Sequence, residues 1–89
     1  MNFYWPEIFE AVHDELRRAT QKFMPFHSAH EGYAVMLEEM DELWEHVKVN
    51  QAKRDVKAMQ AEAIQVAAMA IRFAIDACKE RPDELRESL

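Results

Sequence analysis

The chain has few of the residues that break helices or cross-link small folds. Among its 89 residues are one glycine, three prolines and a single cysteine. One cysteine cannot form a disulfide within the chain, which excludes the disulfide scaffold of many small secreted proteins. Basic residues are also few, because 11 Lys and Arg against 17 Asp and Glu leave a net charge of -6. Nucleic acid is therefore not expected as a partner, since contact with a phosphate backbone needs clustered basic side chains.

The length of the chain bounds its organisation. We expect one domain over residues 1–89, because chains divide into separate cores only beyond roughly 250 residues. A folded monomer of this size buries only about 64% of its unfolded surface, so a homo-oligomer, either a dimer or a tetramer, is expected. The longest uncharged stretch of the apolar C-terminal half, Ala63 to Ile71, is much shorter than the roughly 20 residues that cross a bilayer. With no signal-peptide pattern, the sequence predicts a cytoplasmic protein without a membrane partner.

The periodicity of the apolar residues predicts an all-α chain of three helices. They are expected at about residues 6–23, 29–48 and 52–80, where apolar side chains recur every three or four positions. Pro6 suits the first turn of the first helix, and the third helix ends just before Pro82. No segment alternates with the two-residue period of a strand. The expected architecture is an oligomeric helical bundle.

The second helix has a start signal and an apolar stripe. Ser28 and Glu31 have capping-box spacing, in which the hydroxyl accepts from the amide of residue 31 and the carboxylate reaches back to the cap. The stripe consists of Tyr33, Met36, Leu37, Met40, Leu43, Trp44 and Val47.

The third helix is apolar on almost all sides between Ala63 and Cys78. Both faces therefore favour burial, one within the chain and one against a second subunit. The subunit contact is expected to use Ile64, Ala68, Ile71 or Ile75. Cys78 is expected to be a buried small apolar residue. Aromatic residues at the ends of the first helix could stack on a nucleobase but are expected in the core: Phe3, Tyr4, Trp5, Phe23 and Phe26.

The second helix is also strongly acidic. Its acidic residues are Glu31, Glu38, Glu39, Asp41, Glu42 and Glu45, against the single basic residue Lys48. Glu39 and Glu42 flank the apolar stripe, where they can face a neighbouring helix that carries Glu62. Grouped carboxylates without a counter-charge raise one another's pKa unless a cation neutralises them. Mg²⁺, with Mn²⁺ as an alternative, is the natural candidate because it takes oxygen ligands.

Two structural interpretations stand beside this metal site. The acidic residues of the second helix could form a solvated face that aids solubility. On the third helix, Arg54, Glu62, Gln65, Arg72 and Asp76 project along one polar seam. The last four could form a hydrogen-bonded network across a helix interface, because buried polar groups need internal partners.

Two acidic elements on successive helices resemble a family signature. Glu38, Glu39 and Glu42 are followed, after residues 43–61, by Glu62 and Gln65. This pattern resembles the E-E-x-x-E and E-x-x-D elements of the all-α nucleoside triphosphate pyrophosphohydrolases, and residues 30–39 and 65–72 are similar to small MazG-like proteins of bacteria and phages. The resemblance covers over half of the chain. It implies an oligomeric helical bundle that uses Mg²⁺ and cleaves a nucleoside triphosphate between the α- and β-phosphates, giving a monophosphate and pyrophosphate.

The resemblance also implies roles for individual residues. Glu39, Glu42 and Glu62 match metal-binding carboxylates, and Glu38 matches the acid beside the first ligand, which we expect to act as the base. Gln65 stands where the family usually has Asp, and its amide oxygen can coordinate Mg²⁺ but adds no charge. The cations expected at the phosphates are Lys53, Arg54 and Lys57. Because of Gln65, the alternative is a non-catalytic helical interaction or nucleotide-binding module that keeps the fold without turnover.

Overall fold

The computed structural model describes residues 5–78, and within this range the chain is entirely helical, without a strand. Helix α1 spans Trp5–Lys22, α2 spans Ala29–Val47 and α3 spans Val56–Asp76. A single turn of 3-10 helix, Gln51–Lys53, lies in the connection between α2 and α3. The predicted all-α class with three helices is confirmed.

The third helix is shorter at both ends than the 52–80 predicted from the sequence. Its start is fixed by the carboxylate of Asp55, which accepts a hydrogen bond from the backbone N–H of Ala58 at 3.0 Å. It ends at Asp76, and Cys78 is exposed, so the expectation of a buried thiol is wrong. Helix propensity alone does not extend a helix beyond the residues that pack against the core. Residues 79 and 80 lie outside the described range.

The start of α2 follows the predicted capping pattern with one difference. The Ser28 hydroxyl accepts from the backbone N–H of Glu31 at 3.1 Å. The Glu31 carboxylate reaches past the cap and accepts from the backbone N–H of His27 at 2.7 Å. This pair fixes the angle at which the loop between α1 and α2, residues 23–28, enters the second helix.

The core lies where α3 packs against both α1 and α2. Its buried apolar side chains are Val12, Ala19, Phe26, Ala68 and Met69. Ala68 is fully buried within the monomer and has no surface left for a subunit contact, while the contact expected at one of the four residues stays a prediction. Ile71 and Ile75 are exposed on the same helix.

A buried arginine fastens the α1–α2 loop to α3. Arg72 is only 4% exposed, and its guanidinium donates to the carbonyl of Met24 and lies 4.4 Å from the ring centroid of Phe26. Asp76 forms an ion pair with Arg72 at 3.7 Å and accepts from the backbone N–H of Phe26 at 3.1 Å. The charge of Arg72 is therefore neutralised inside the protein, and the loop is held in place.

Gly32 allows α2 to approach α3 closely. It is buried, and a Cβ at this position would lie 2.7 Å from Cδ2 of Phe73 and 3.0 Å from Cδ2 of Phe26. The glycine is required by space, since its φ is not positive. A Cβ here would meet these rings, so either the rings or the first turns of α2 would have to shift.

Much of the predicted apolar stripe of α2 faces solvent in the monomer. Tyr33, Leu37, Met40 and Trp44 are between 47% and 63% exposed and follow one side of the helix. We call these four residues the α2 stripe. Only Val35 and Met36 of this helix pack against the core cluster. The two faces of α2 thus have different surroundings, which the periodicity alone did not separate.

By length and composition, α3 is the one described helix that could cross a membrane, with a mean hydropathy of 1.2 over an 18-residue window. Core helices of soluble proteins share these properties. It also carries Glu62, Arg72 and Asp76, and it packs against both other helices. The cytoplasmic location without a membrane partner stays a prediction.

Candidate metal centre

Three glutamates from two helices converge at the α2–α3 contact. Glu39 and Glu42 lie one turn apart on α2, and Glu62 faces them from α3. One carboxylate oxygen of each residue lies within 4.8 Å of the other two. We call this group the glutamate triad. It joins the two acidic elements that the sequence places on successive helices.

The carboxylates of the triad are difficult to ionise together. Burial, followed by the charge of Glu42 and a hydrogen bond to it, raises the pKa of Glu39 to about 7, with smaller contributions from Glu62 and Glu15. Burial and then Glu42 also raise the pKa of Glu62, while nearby His46 lowers it. Near neutral pH, a fraction of the metal-free molecules therefore carries a proton on the triad.

The charge of His46 offsets only part of the negative charge of this cluster. Among residues 5–78, no Lys or Arg forms an ion pair with a triad carboxylate, and Oε2 of Glu62 is buried without a hydrogen-bond partner. A buried acceptor left unsatisfied costs about 1–3 kcal/mol. The cluster thus has an orphaned acceptor and a negative charge excess, both of which a cation would satisfy.

The geometry fits a small divalent cation. With Mg²⁺–oxygen distances of about 2.1 Å, ligands on opposite sides of the ion lie about 4.2 Å apart. The three oxygens lie within 4.8 Å of one another, and at least two of the three pairs would be adjacent on one octahedral ion, about 3.0 Å apart, so side-chain rotations that move the oxygens by about 1–2 Å would close the site on a cation. All three donors are carboxylates, the ligand type that Mg²⁺ prefers.

The other two acidic-element residues have different surroundings. Glu38 is exposed on α2 beside Glu39. Gln65 is half-buried on α3, about one turn after Glu62, and it lines the same cavity as Glu39. The structure therefore places Gln65 next to the triad, on the side that opens into the cavity.

The three predicted phosphate-binding cations are not equivalent. Arg54 donates from Nη2 to the carbonyl of Val47 at 2.6 Å and from Nε to the carbonyl of Val49 at 3.1 Å. It thereby satisfies backbone acceptors at the end of α2, a role the sequence analysis did not anticipate. Lys53 and Lys57 are exposed on either side of the start of α3. Their contact with phosphate stays a prediction.

The polar seam of α3 divides into two separate groups. Arg72 and Asp76 pair with each other and with the α1–α2 loop. Glu62 belongs to the triad instead, since its neighbours are Glu42 and His46. The interpretation of a single network across Glu62, Gln65, Arg72 and Asp76 is therefore wrong, because Glu62 lies about three turns from Arg72 along α3.

A cavity of about 460 Å³ opens beside the triad. It lies between the last turns of α1, the α1–α2 loop, the first half of α2 and α3, and Glu39 and Gln65 form part of its wall. Two cationic residues of α1, Arg18 and Lys22, also line it. Sequence reasoning missed them, although their four-residue spacing on one helix face was a signal.

Comparison of the chain with protein-family models, with curated proteins and with solved structures finds no match. The likeness to MazG-like proteins therefore depends on the acidic elements themselves. What the structure adds is their convergence into one cluster.

Proposed function

We propose that the protein is a Mg²⁺-dependent nucleoside triphosphate pyrophosphohydrolase, similar to the small MazG-like proteins. It would cleave an NTP or dNTP between the α- and β-phosphates, giving a monophosphate and pyrophosphate. The observation that carries the proposal is the glutamate triad, in which three carboxylates that form no ion pair with a described Lys or Arg meet within 4.8 Å. Such a cluster is stable near neutral pH when a cation binds it.

The residues that would hold Mg²⁺ are Glu39, Glu42 and Glu62, with the Gln65 amide oxygen as a neutral fourth ligand. When bound, Mg²⁺ supplies charge neutralisation at the phosphates and lowers the pKa of a coordinated water. Glu38 is proposed as the base because its exposed carboxylate can pass a proton to solvent.

A screen for pyrophosphate release across ribo- and deoxynucleoside triphosphates, with and without Mg²⁺, tests the proposal. The parent should release pyrophosphate only with the metal, and Glu62→Gln should reduce release by at least about a hundredfold. Asp41→Asn is the matched control, because Asp41 is an exposed acid of α2 outside the triad. If no nucleotide is cleaved while Mg²⁺ still binds to the triad, the protein is better described as a non-catalytic nucleotide-binding module than as an enzyme.

We further propose that the protein acts as a homo-oligomer through the α2 stripe. Four large apolar side chains on one side of α2 are about half exposed, and an isolated monomer of this size buries only about 64% of the surface of its unfolded chain. Leu37→Glu should shift the molecular mass measured by light scattering to that of a monomer. Gln60→Glu, at an exposed site of α3, should leave the assembly intact. A parent that is monomeric at micromolar concentration would refute this assignment.

A further inference from the structure

The cavity beside the glutamate triad has the size of a site for an organic ligand. Its volume of about 460 Å³ lies within the roughly 300–1,000 Å³ typical of small-molecule sites. Glu39 belongs both to the triad and to the cavity wall. A ligand in the cavity can therefore contact the cation site at the same time.

The residues that line this cavity define the direction of its long axis. Glu15, Arg18 and Lys22 lie on successive turns of α1 and line the cavity. On α2, Glu31 beside the α1–α2 loop and Glu39 in the triad both line the cavity, so its long axis runs between the loop and the triad. From Glu15 to Phe23 the chain advances about 12 Å along the helix axis. The cavity therefore runs from the acidic triad to an aromatic end.

Near the triad end, Arg18 can bind an anion without losing its present partner. Its Nε donates to Glu15 at 3.2 Å, and Nη2 donates to the second carboxylate oxygen. A guanidinium has five N–H donors, so this pair leaves donors free for a phosphate. The side chain is 53% exposed, and its head therefore needs little desolvation to meet a ligand.

The aromatic end of the cavity offers a ring and a fixed wall. Phe23 was expected in the core, but it is 52% exposed and lines the cavity. The loop that carries it is held by Arg72 at the Met24 carbonyl and by Asp76 at the Phe26 amide. A flat apolar group such as a nucleobase can stack on an exposed aromatic ring, and a wall formed in advance lowers the entropy cost of binding.

We propose that this cavity binds the nucleotide lengthwise, with its phosphates between the triad and Arg18 and its nucleobase against Phe23. The inference rests on the proposed function and adds to it the position of the substrate and the two residues that hold its ends. It also moves the phosphate-binding role away from Arg54, whose guanidinium donates to backbone carbonyls of α2 and its connection.

Calorimetric titration with two probes tests binding at each end of the cavity separately. The probes are α,β-methylene deoxynucleoside triphosphates, which resist cleavage, and inorganic tripolyphosphate, which lacks a nucleoside; both are titrated with Mg²⁺ present. Phe23→Ala should weaken binding of the preferred nucleotide analogue about tenfold and leave tripolyphosphate unchanged. Arg18→Gln should weaken both probes about tenfold.

Matched controls come from the same helix. Phe9→Ala and Arg17→Gln remove an exposed ring and an exposed guanidinium that do not line the cavity, so both variants should bind like the parent. Circular dichroism checks that all four variants keep the helicity of the parent. A parent that binds no analogue, or controls that lose as much affinity as Phe23→Ala and Arg18→Gln, would overturn the inference.

Pyrophosphate release distinguishes failure of this inference from failure of the proposed function. One outcome is that the parent releases no pyrophosphate and still binds the analogues in a manner that depends on Phe23 and Arg18. In that case the cavity remains a nucleotide site and the enzyme assignment is withdrawn. If the parent cleaves nucleotides while both variants retain its KM and its analogue affinity, the enzyme assignment stands and the cavity assignment is overturned.

Discussion

Replacing Glu39 with glutamine should make the metal-free protein more stable at alkaline pH. The pKa of Glu39 is about 7 in the folded protein, whereas an unfolded chain leaves a glutamate near 4.3. Between these values the folded state binds more protons than the unfolded state, so the free energy of unfolding falls as the pH rises through about 7. Glutamine keeps the shape of the side chain but does not titrate, and this loss of stability should disappear.

The size of the effect follows from the shift. A difference of about 2.7 pKa units corresponds to at most about 3.7 kcal/mol, because each unit is worth 1.36 kcal/mol. Glu42, Glu62 and Glu15 all act on Glu39, and its side chain is partly solvated. Solvent screening reduces the value, and we expect Glu39→Gln to be about 1–3 kcal/mol more stable than the parent near pH 8. Near pH 4 the two proteins should be equally stable.

Urea denaturation over this pH range, with the metal removed by a chelator, measures the effect. Asp41→Asn, on the exposed side of the same helix, is the control and should run parallel to the parent. Millimolar Mg²⁺ should then stabilise the parent near pH 8 and have less effect on Glu39→Gln, since a ligand of the folded state adds RT ln(1 + [L]/Kd). Parallel pH profiles for Glu39→Gln and the parent would refute the argument that the triad is electrostatically strained.

Three further substitutions test the packing and the site. Gly32→Ala should lower the free energy of unfolding by about 1–3 kcal/mol, because its Cβ meets the Phe73 ring; an unchanged urea midpoint would show that the ring moves freely. Arg72→Met should lower the free energy of unfolding by about 3–5 kcal/mol, because it leaves the Asp76 carboxylate buried and unpaired. Adding Asp76→Asn should recover part of this loss, and no recovery would show that the ion pair is unimportant. Gln65→Asp should tighten Mg²⁺ binding about tenfold in calorimetry, whereas unchanged affinity would place residue 65 outside the coordination shell.

The fold could be predicted where local chemistry decides it. The scarcity of glycine and proline and the three- to four-residue apolar period are properties of each segment, and they predicted three helices. The ends of α3 depended on where the core stops and on the cap at Asp55, which composition does not show. The apolar pattern of α2 in the sequence includes more residues than the face of α2 that packs against the core. Periodicity shows which residues are apolar on one side but not what covers them.

The candidate site was predictable in part for the same reason. Glu39 and Glu42 are one turn apart, so their shared face follows from helix geometry alone. Their meeting with Glu62 depends on how α2 packs against α3, which the family resemblance implied and spacing does not determine. Arg18 was missed and Phe23 was assigned to the core, because the rotation of α1 in the bundle decides which residues on it and at its end reach the cavity. The hydrogen bond from Arg54 to the end of α2 could not be predicted, because the turn that brings it there is a tertiary feature.

The two charged groups of α3 show contrasting ways of accommodating buried charge. Asp76 is balanced by Arg72 within the chain, and its second hydrogen bond holds a loop. Glu62 has no such partner, and its two neighbours on α2 carry the same charge. For structural purposes alone, apolar residues at these positions would be equally stable or more stable, because buried charges are costly to desolvate. A helical module that served only to bind a partner through the α2 stripe would gain nothing from the triad. In the proposed hydrolase, a cation bound to the three carboxylates would offset this cost.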